Sequence, residues 1–403
     1  MGMDQRAVQL DCLCVNTITF LLSNTPNPRL QKRAMVLKDS FACNLVCIRR
    51  KNADLYNFAS SLYGHVAIKD AVVPPSSKLF SRVAFQFSVL RWQMREAIDQ
   101  KPKILYVQGF DCLIAACCVK IKMKSDDIKI VYEVSDIREA LFGGGSLLQS
   151  IKARLLSSVE RACLRNTSLL VVTSPAFVEA RYGVLFDPSR IVFIPNTPSL
   201  EPFAGYCRKV DGPFTVGYVG VLRYIENLKL AIDAVSKTPG TRMILSGGSA
   251  SGTELEALER YCEGNSSIEF SGPYEYEKEI AGIYGRFDCV WAVYDSSNPN
   301  VRIALPNKLY ESVHCGLPLI AARGTYLGEI VEKLGIGMTV DSYSPESIDL
   351  ALALMSERGP RYLEMCDACA HAKEELCDMR TLKALPDTLR ALLADFTDGL
   401  PNE

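Results

Sequence analysis

Short, wholly apolar runs recur along this chain, each followed by a longer stretch in which apolar residues return every three or four positions. The first kind reads as a buried parallel strand, the second as a helix that covers it. In the first half the expected strands are Leu13–Leu22, Leu45–Arg49, Ile104–Gln108, Lys129–Glu133, Leu169–Thr173 and Ile191–Ile194. Helices are expected between them at Pro28–Lys38, Leu79–Asp99, Asp111–Lys122, Leu147–Arg165 and Pro175–Tyr182. The cycle restarts with strands at Thr215–Tyr218, Met243–Ser246, Ile268–Ser271, Cys289–Ala292, Leu319–Ala322 and Met338–Val340. Its helices fall at Leu228–Ser236, Thr253–Cys262, Tyr276–Gly285, Lys308–Cys315, Tyr326–Leu334 and Pro345–Ser356. Tyr362–Phe396 reads as helical with a break at Pro386.

Strand and helix in alternation predict the α/β class, with parallel sheets covered on both faces. At 403 residues the chain exceeds what one core fills. Pro195, Pro198, Pro202 and Pro213 crowd the point where the cycle restarts. The expected organisation is two Rossmann-like domains facing across a cleft, residues 1–198 and 214–360, joined by a Pro-rich linker at 199–213. A helical segment at 361–403 follows, placed to pack back on the first domain.

Charge separates the halves. Residues 1–200 hold 26 Lys and Arg against 16 Asp and Glu, whereas the whole chain has 45 and 46. A basic first half facing an acidic second half predicts an anionic partner for the first. The 15 cysteines are odd in number and lie mostly in apolar segments, a pattern of buried thiols in a reducing cytoplasm. Cys366, Cys369 and His371 lack a second pair at zinc spacing, so no metal site is expected. No apolar run reaches the roughly 20 residues of a membrane span. Asp11 and Asn16 interrupt residues 8–22, so no secretory signal is expected there.

Candidate chemistry centres on Pro306–Ala322, PNKLYESVHCGLPLIAA. It reads as a turn, a short helix with Lys308 and Glu311 on one face, a stop at Gly316 and a buried strand. A helix mouth bearing a lysine and a glutamate above the strand edges of such a sheet can hold a phosphorylated ligand. Gly217 and Gly220, at the end of the second half's first strand, would let backbone approach a diphosphate. Arg223 beside them reads equally as a phosphate ligand or a solvated loop residue. Gly272, Pro273 and Tyr274 form a turn that is either an ordinary connection or a nucleobase-facing loop. Neither a dinucleotide fingerprint nor a lysine-bearing phosphate loop is present.

The order GYVGVLRYIENLKLAIDA, MILSGG, IEFSGPY, FDCVWAVYDSS and PNKLYESVHCGLPLIAA resembles the donor-binding domain of GT-B-fold glycosyltransferases. The family in question is the large retaining one that includes sucrose synthase-like and bacterial polysaccharide enzymes. YVQGFD, KIVYEVSDI and SLLVVTSPAFVEA resemble its acceptor domain more loosely. The resemblance spans about residues 15–350. It implies a metal-independent hexosyl transfer with retention, with a nucleotide-diphosphate sugar as co-substrate and no bound cofactor. Glu311 matches the second glutamate of the family's Glu-x7-Glu motif, which holds the donor ribose. Lys308 and Arg223, with Arg302, are then diphosphate-side residues, Asn307 a donor-binding residue, Gly220 and Gly272–Tyr274 donor loops, and Asp111 and Asp136 acceptor-side acids that, with Glu311, are the catalytic candidates. Four positions depart from the pattern: Ile303 replaces the first glutamate, Val221 and Glu226 the usual basic pair, and Ser135 a histidine.

Lys78–Asp99 mixes Phe80, Phe85, Phe87 and Trp92 with Lys78, Arg82, Arg91 and Arg95. It reads either as a core helix with solvated arginines or as a surface for a bilayer interface. With the basic first half, the second reading predicts a cytoplasmic enzyme on the inner face of the cytoplasmic membrane. Its acceptor would be a glycan or a polyprenyl-diphosphate-linked sugar in bacterial surface polysaccharide synthesis. No signature of nucleic-acid binding appears. Two other readings fit the fold: a non-catalytic partner subunit, which Ile303 favours, and a UDP-sugar epimerase, for which only His65, His314 and His371 are available.

Overall fold

A computed structural model describes residues 16–50, 58–72, 74, 79–143, 146–199, 201–209, 211–248 and 252–394. Lys78 and the first residues of the expected strand Leu13–Leu22 lie outside the described residues. The first half runs β1 (Thr17–Leu22), α1 (Pro28–Leu37), β2 (Ala42–Arg50), β3 (His65–Ala71), α2 (Leu79–Asp99) and β4 (Ile104–Gln108). It continues with α3 (Phe110–Met123), β5 (Lys129–Val134), α4 (Leu147–Arg165), β6 (Leu169–Val172), α5 (Ala176–Ala180) and β7 (Ile191–Phe193). These strands form one parallel sheet in the order β3-β2-β1-β4-β5-β6-β7.

The second half opens with β8 (Phe214–Val219), α6 (Ile225–Lys237), β9 (Thr241–Ser246), α7 (Gly252–Tyr261), β10 (Ile268–Gly272) and α8 (Tyr276–Tyr284). Then come β11 (Cys289–Ala292), α9 (Pro299–Ile303), α10 (Asn307–His314), β12 (Leu319–Ala322), α11 (Tyr326–Leu334) and β13 (Gly337–Val340). Its parallel sheet has the order β10-β9-β8-β11-β12-β13. Both sheets reverse direction about their first strand, and ligands of such sheets bind at the carboxyl edge of that reversal.

Three further helices, α12 (Pro345–Ser356), α13 (Pro360–Leu376) and α14 (Arg380–Lys383), lead to α15 (Leu385–Ala394). Leu382, Leu385 and Leu389 enter the core that β1, β2 and α1 build in the first half. The tail therefore returns to the first sheet, where the helical segment was expected to pack. The break expected at Pro386 falls instead at residues 377–379 and at Ala384, and Pro386 occupies the first turn of α15. Proline is tolerated there because that N–H has no partner within the helix.

Two elements escaped the sequence pattern. β3 (HVAIKDA) is an edge strand with few fully buried residues, so it lacks an apolar run. α9 (PNVRI) is a single turn started by Asn298, whose side chain accepts from the Asn300 and Val301 amides. That turn matters, because it carries Ile303. Ile303 and Ala304 pack on the apolar core of the first half, and the Ile303 carbonyl accepts a 2.5 Å bond from Ser174 Oγ. Half-buried against this apolar surface, the position suits isoleucine.

Candidate functional site

The carboxyl ends of β8, β9 and β10 are tied together by backbone bonds. Gly220 N donates to Ser246 O (2.9 Å), Leu222 N to Gly248 O (2.8 Å) and Gly247 N to Gly272 O (2.8 Å). Gly220 has φ +110° with open space where a Cβ would stand, and Gly272 is likewise positive and open. A side chain on Gly247 would come within 1.9 Å of the Gly220 carbonyl, so glycine is required for these loops to lie side by side. Gly217 has a different reason. It sits inside β8, and a Cβ there would strike the Phe287 ring at 2.2 Å. Its role is packing, so of the two glycines only Gly220 has open space beside it. Pro273 is exposed at the loop edge, whereas Tyr274 is half-buried against the apolar cluster that contains Phe203, Ile280 and Tyr284.

Lys308 enters this edge from the first turn of α10. It is buried, its Nζ donates to the Tyr294 hydroxyl at 2.8 Å, and it stands 3.7 Å from the Tyr218 ring centroid. Burial pulls its pKa down to about 7, with the Glu311 carboxylate acting upward and the Arg223 charge downward. Arg223 is exposed and close enough for its charge to be felt by Lys308, Tyr218 and Tyr294. Tyr224 holds the αL conformation at φ +57° and meets Tyr294 edge-on at 5.7 Å. A bulky residue rarely adopts that backbone, and such strain clusters at functional positions.

Glu311 lies one turn along α10 from Lys308 and is buried. Its Oε1 accepts from Tyr276 (2.8 Å) and its Oε2 from Tyr284 (2.7 Å). Both carboxylate oxygens are thus engaged by the second half's own tyrosines. Asn307 is exposed and pairs with Asn196 of the first half. Arg302 is exposed at the end of α9.

On the opposite side, Asp111 is ion-paired with Arg138, whose guanidinium also lies over Phe110 at 5.4 Å. Asp136 is exposed and its Oδ1 accepts from Asn300 Nδ2 at 2.8 Å, while Asn300 Oδ1 accepts from the Ile137 amide at 2.8 Å. Asp111 therefore faces an arginine, Asp136 an asparagine and Glu311 two tyrosines, and none of these partners is shared between two of the acids.

Lys32 was not singled out by the sequence. It projects from α1, donates to the Thr197 carbonyl, and feels the charges of Glu311 and Glu277 across the cleft. Burial, then the neighbouring Arg33, pulls its pKa down to about 8. The signal was the triplet Arg29, Lys32, Arg33, too many cations for one face of a short amphipathic helix. Arg29 and Arg33 turn inward to Glu133 (2.7 and 3.2 Å), and Lys32 is left for the cleft.

Residues 207–375 match the family described as glycosyl transferases group 1, and residues 62–197 match the glycosyl transferase 4-like domain. Together the two cover about three quarters of the sequence. The chain belongs to the group 1 glycosyltransferases. It is similar to the succinoglycan biosynthesis protein ExoL of Rhizobium meliloti (strain 1021), at 24% identity over 63% of this chain and 64% of that protein. The chain thus matches less than two thirds of that relative's length. Sucrose-phosphate synthase from Thermosynechococcus elongatus superposes with a TM-score of 0.71, covering 94% of this chain and 100% of that one, at 15% identity. HepE of Anabaena, solved with UDP and glucose, gives 0.68, 15% identity and coverage of 93% and 100%. These superpositions establish that this group 1 member has the GT-B fold.

The expected bilayer helix divides. Phe80, Phe87 and Arg82 of α2 are exposed, and Arg95 is exposed beside Glu96. Trp92 is not part of that surface: it packs on the core beneath α2, with Lys69 Nζ 5.7 Å from its ring. Its position twelve residues past Phe80 turns it inward where the helix meets the sheet. The sequence missed Leu147, Leu148, Ile151 and Leu155, which α4 leaves exposed. No helix among the described residues is long and apolar enough to cross a membrane, and none holds a three-residue metal-binding cluster.

Proposed function

We propose that this protein transfers a hexosyl unit from a nucleotide-diphosphate sugar to a glycan or polyprenyl-diphosphate-linked acceptor in surface polysaccharide synthesis. Membership of the group 1 glycosyltransferases supports the reaction class. The observation that carries the donor assignment is Lys308, a buried amine on a tyrosine platform beside three glycine-bearing strand ends. An anionic diphosphate restores the charge that burial takes from this amine. HepE, which has the same fold, was solved with UDP and glucose.

In this reading the diphosphate lies between the Gly220 and Gly272 loops and Lys308, with Arg223 and Arg302 at its solvent side. Lys32 reaches it from the first half. These cations compensate the charge that develops on the leaving diphosphate, the role a metal plays elsewhere. Glu311 orients the ribose once Tyr276 yields Oε1, and Asn307 holds the two halves in register through Asn196. Asp136, positioned by Asn300, faces the acceptor, with Asp111 and Arg138 behind it. Closure of the halves would exclude water and limit hydrolysis of the donor.

A thermal-shift panel of nucleotides and nucleotide sugars tests the proposal. A ligand at 100 times its dissociation constant adds about 2.7 kcal/mol to stability. Stabilisation by a nucleoside diphosphate, lost in Lys308→Ala, is the expected result. Indifference to every nucleotide removes the donor site. We further place the exposed side of α2 and the basic first half against anionic lipid at the inner face of the cytoplasmic membrane. Sedimentation with phosphatidylglycerol vesicles at low and high salt checks this, and no binding at low salt ends it.

A further inference from the structure

Tyr224 holds its left-handed backbone, φ +57° and ψ +56°, immediately before α6. Among the described residues, the other positive-φ positions that carry a side chain are Lys101, Lys124 and Arg358. Each of those follows a helix (α2, α3 and α12), where a left-handed residue is an ordinary way to stop. Tyr224 precedes one. Asn or Gly would hold this backbone at lower cost, and Ser, Asp or Asn would cap the free amides of α6. The tyrosine side chain makes no capping bond. Nothing in its own helix favours tyrosine here, so the reason lies in what the ring and the hydroxyl face.

On one side the ring meets Tyr294 edge-on at 5.7 Å, and the Tyr294 hydroxyl is the one that takes Lys308 Nζ at 2.8 Å. On the other side the hydroxyl feels charges from both halves: Arg223 and Asp295 of the second, Glu139 and Asp136 of the first. Burial raises its pKa above the ordinary 10, Arg223 acts downward and the three carboxylates act upward. The phenol therefore keeps its proton and remains a hydrogen-bond donor. The carboxylates around it are held in place by uncharged groups. Asp295 Oδ1 accepts from the Ser297 amide at 2.8 Å and from the Tyr343 hydroxyl. Glu139 accepts from Asn298 Nδ2 at 2.5 Å, and Asp136 from Asn300 Nδ2 at 2.8 Å.

A sugar carried on a diphosphate at Lys308 must reach toward Asp136 to meet an acceptor. Tyr224 borders that path, with the Lys308 platform on one side and the charge of Asp136 on the other. Three carboxylates surround it against one guanidinium, and Arg223 is taken up by the diphosphate. The carboxylates can accept from sugar hydroxyls, and the phenol can donate to one. An anionic sugar would instead meet three like charges.

We propose that the transferred sugar packs on Tyr224, and that Tyr224 with Asp295, Glu139 and Asp136 selects an uncharged hexose over a hexuronate. The proposal rests on the sugar-transferase reading and names the class of sugar at its donor site.

Titration calorimetry of the full chain tests it, with UDP, UDP-glucose, UDP-galactose and UDP-glucuronate, and with GDP, GDP-mannose and GDP-mannuronate. In the series whose nucleotide binds, the better hexose form should exceed the hexuronate form at least about tenfold. Asn tolerates the left-handed backbone, so Tyr224→Asn should hold the bare nucleotide within about twofold and weaken the hexose form about tenfold. Tyr224→Phe keeps the ring and loses the donor, and should fall between the two. The Glu139→Gln, Asp295→Asn double variant removes two charges and keeps their shapes, so it should bind the hexuronate form about fivefold more tightly. Equal affinity for hexose and hexuronate, an equal loss of nucleotide and nucleotide sugar in Tyr224→Asn, or no gain in the double variant overturns the proposal. Any of those results with the bare nucleotide still bound leaves the transferase reading standing. No binding in either series also overturns the proposal, and a nucleotide panel without effect then removes the transferase reading as well.

Discussion

Lys308 Nζ stands 3.7 Å from the centroid of the Tyr218 ring, the closest approach of a cation to an aromatic face among the described residues. The ring face and the Tyr294 hydroxyl are its polar contacts, and neither carries a formal charge. A buried amine solvated this way gives up its proton easily, which is why its pKa falls to about 7.

The sign of the pH effect follows. From about pH 7 to 10.5 the folded side chain is neutral while the unfolded one is charged, so stability rises with pH across that window. The cost of burying the ammonium is complete below about pH 7. A bound diphosphate favours the ammonium, so UDP binding at pH 8.5 should take up at least about one proton, and far less at pH 6. Calorimetry in buffers of differing ionisation enthalpy reads this directly. Lys308→Met should lose most of the uptake and bind UDP at least roughly tenfold more weakly, a loss of about 1.4 kcal/mol. Uptake near zero in the wild type would falsify contact between Lys308 and the diphosphate.

Glu311 makes a second, separable prediction. Its two oxygens are held by Tyr276, half-buried, and Tyr284, fully buried. If Oε1 is to meet a ribose, the Tyr276 hydroxyl must move aside. Tyr276→Phe should therefore cost less than about 1 kcal/mol in stability and leave UDP affinity equal or tighter. Tyr284→Phe leaves a buried carboxylate oxygen unpartnered and should cost about 1–3 kcal/mol. Glu311→Ala should destabilise more than either, since it strands both hydroxyls. Urea denaturation with UDP titration checks all three; a Tyr276→Phe protein that loses UDP binding would make the tyrosine, not the glutamate, the ligand.

Much of the fold was legible because a parallel sheet buried on both faces writes itself as apolar runs such as ILYVQ and CVWA. β3 did not, since an edge strand half-open to solvent needs no such run. The site was legible at Lys308 and Glu311, where a helix mouth follows a turn in sequence. It was not legible at Tyr276, Tyr284, Tyr294 or Asn300, whose partners lie elsewhere along the chain, and Lys32 was marked only by its place in a cationic triplet. Tyr284 and Glu311 are 27 residues apart, and Asn300 and Asp136 are 164 apart. Aromatic residues in an α/β core are ordinary, so nothing local marks those that bond a carboxylate. Ile303 looked like a lost acid by position in the family motif. Its packing on the first half explains the apolar side chain without reference to the donor.

The first half is braced by a buried ionic group. Glu133 of β5 takes Arg29 at 2.7 Å and Arg33 at 3.2 Å and also accepts from Tyr106, while Arg33 donates to the Ile194 carbonyl at 3.3 Å. Burial pushes the Glu133 carboxyl up, but Arg33 and then Arg29 outweigh it and hold it below its ordinary value of 4.5. The stabilisation is thus present above about pH 4.5 and is lost as pH falls through the lower folded-state value. Glu133→Gln strands two guanidinium groups and should cost about 3–5 kcal/mol at pH 7. The loss should shrink toward pH 2, as the wild-type carboxyl nears its lowered folded-state value and begins to take up its proton. Urea midpoints at the two pH values check this, and an unchanged difference would place the stabilisation in packing.

Asn300 closes the cleft with one side chain. Its Oδ1 takes the Ile137 amide and its Nδ2 serves Asp136, both at 2.8 Å, so a residue of α9 satisfies a backbone donor of the opposite half. Each bond contributes about 0.5–1.5 kcal/mol net, so losing both should raise the open population by about one to two orders of magnitude. Asn300→Ala should then exchange the Ile137 amide for deuterium faster by a similar factor, while amides inside β5 keep their protection. Asp136 would be freed in the same step. If the acid acts on the acceptor, the variant should raise KM for donor through poorer closure and leave kcat within a few-fold. A kcat that falls with KM unchanged would instead make Asn300 a ligand of the reacting groups. Unchanged exchange at Ile137 would mean that the halves are held together by Ser174, Asn196 and the Ile303 contact without it.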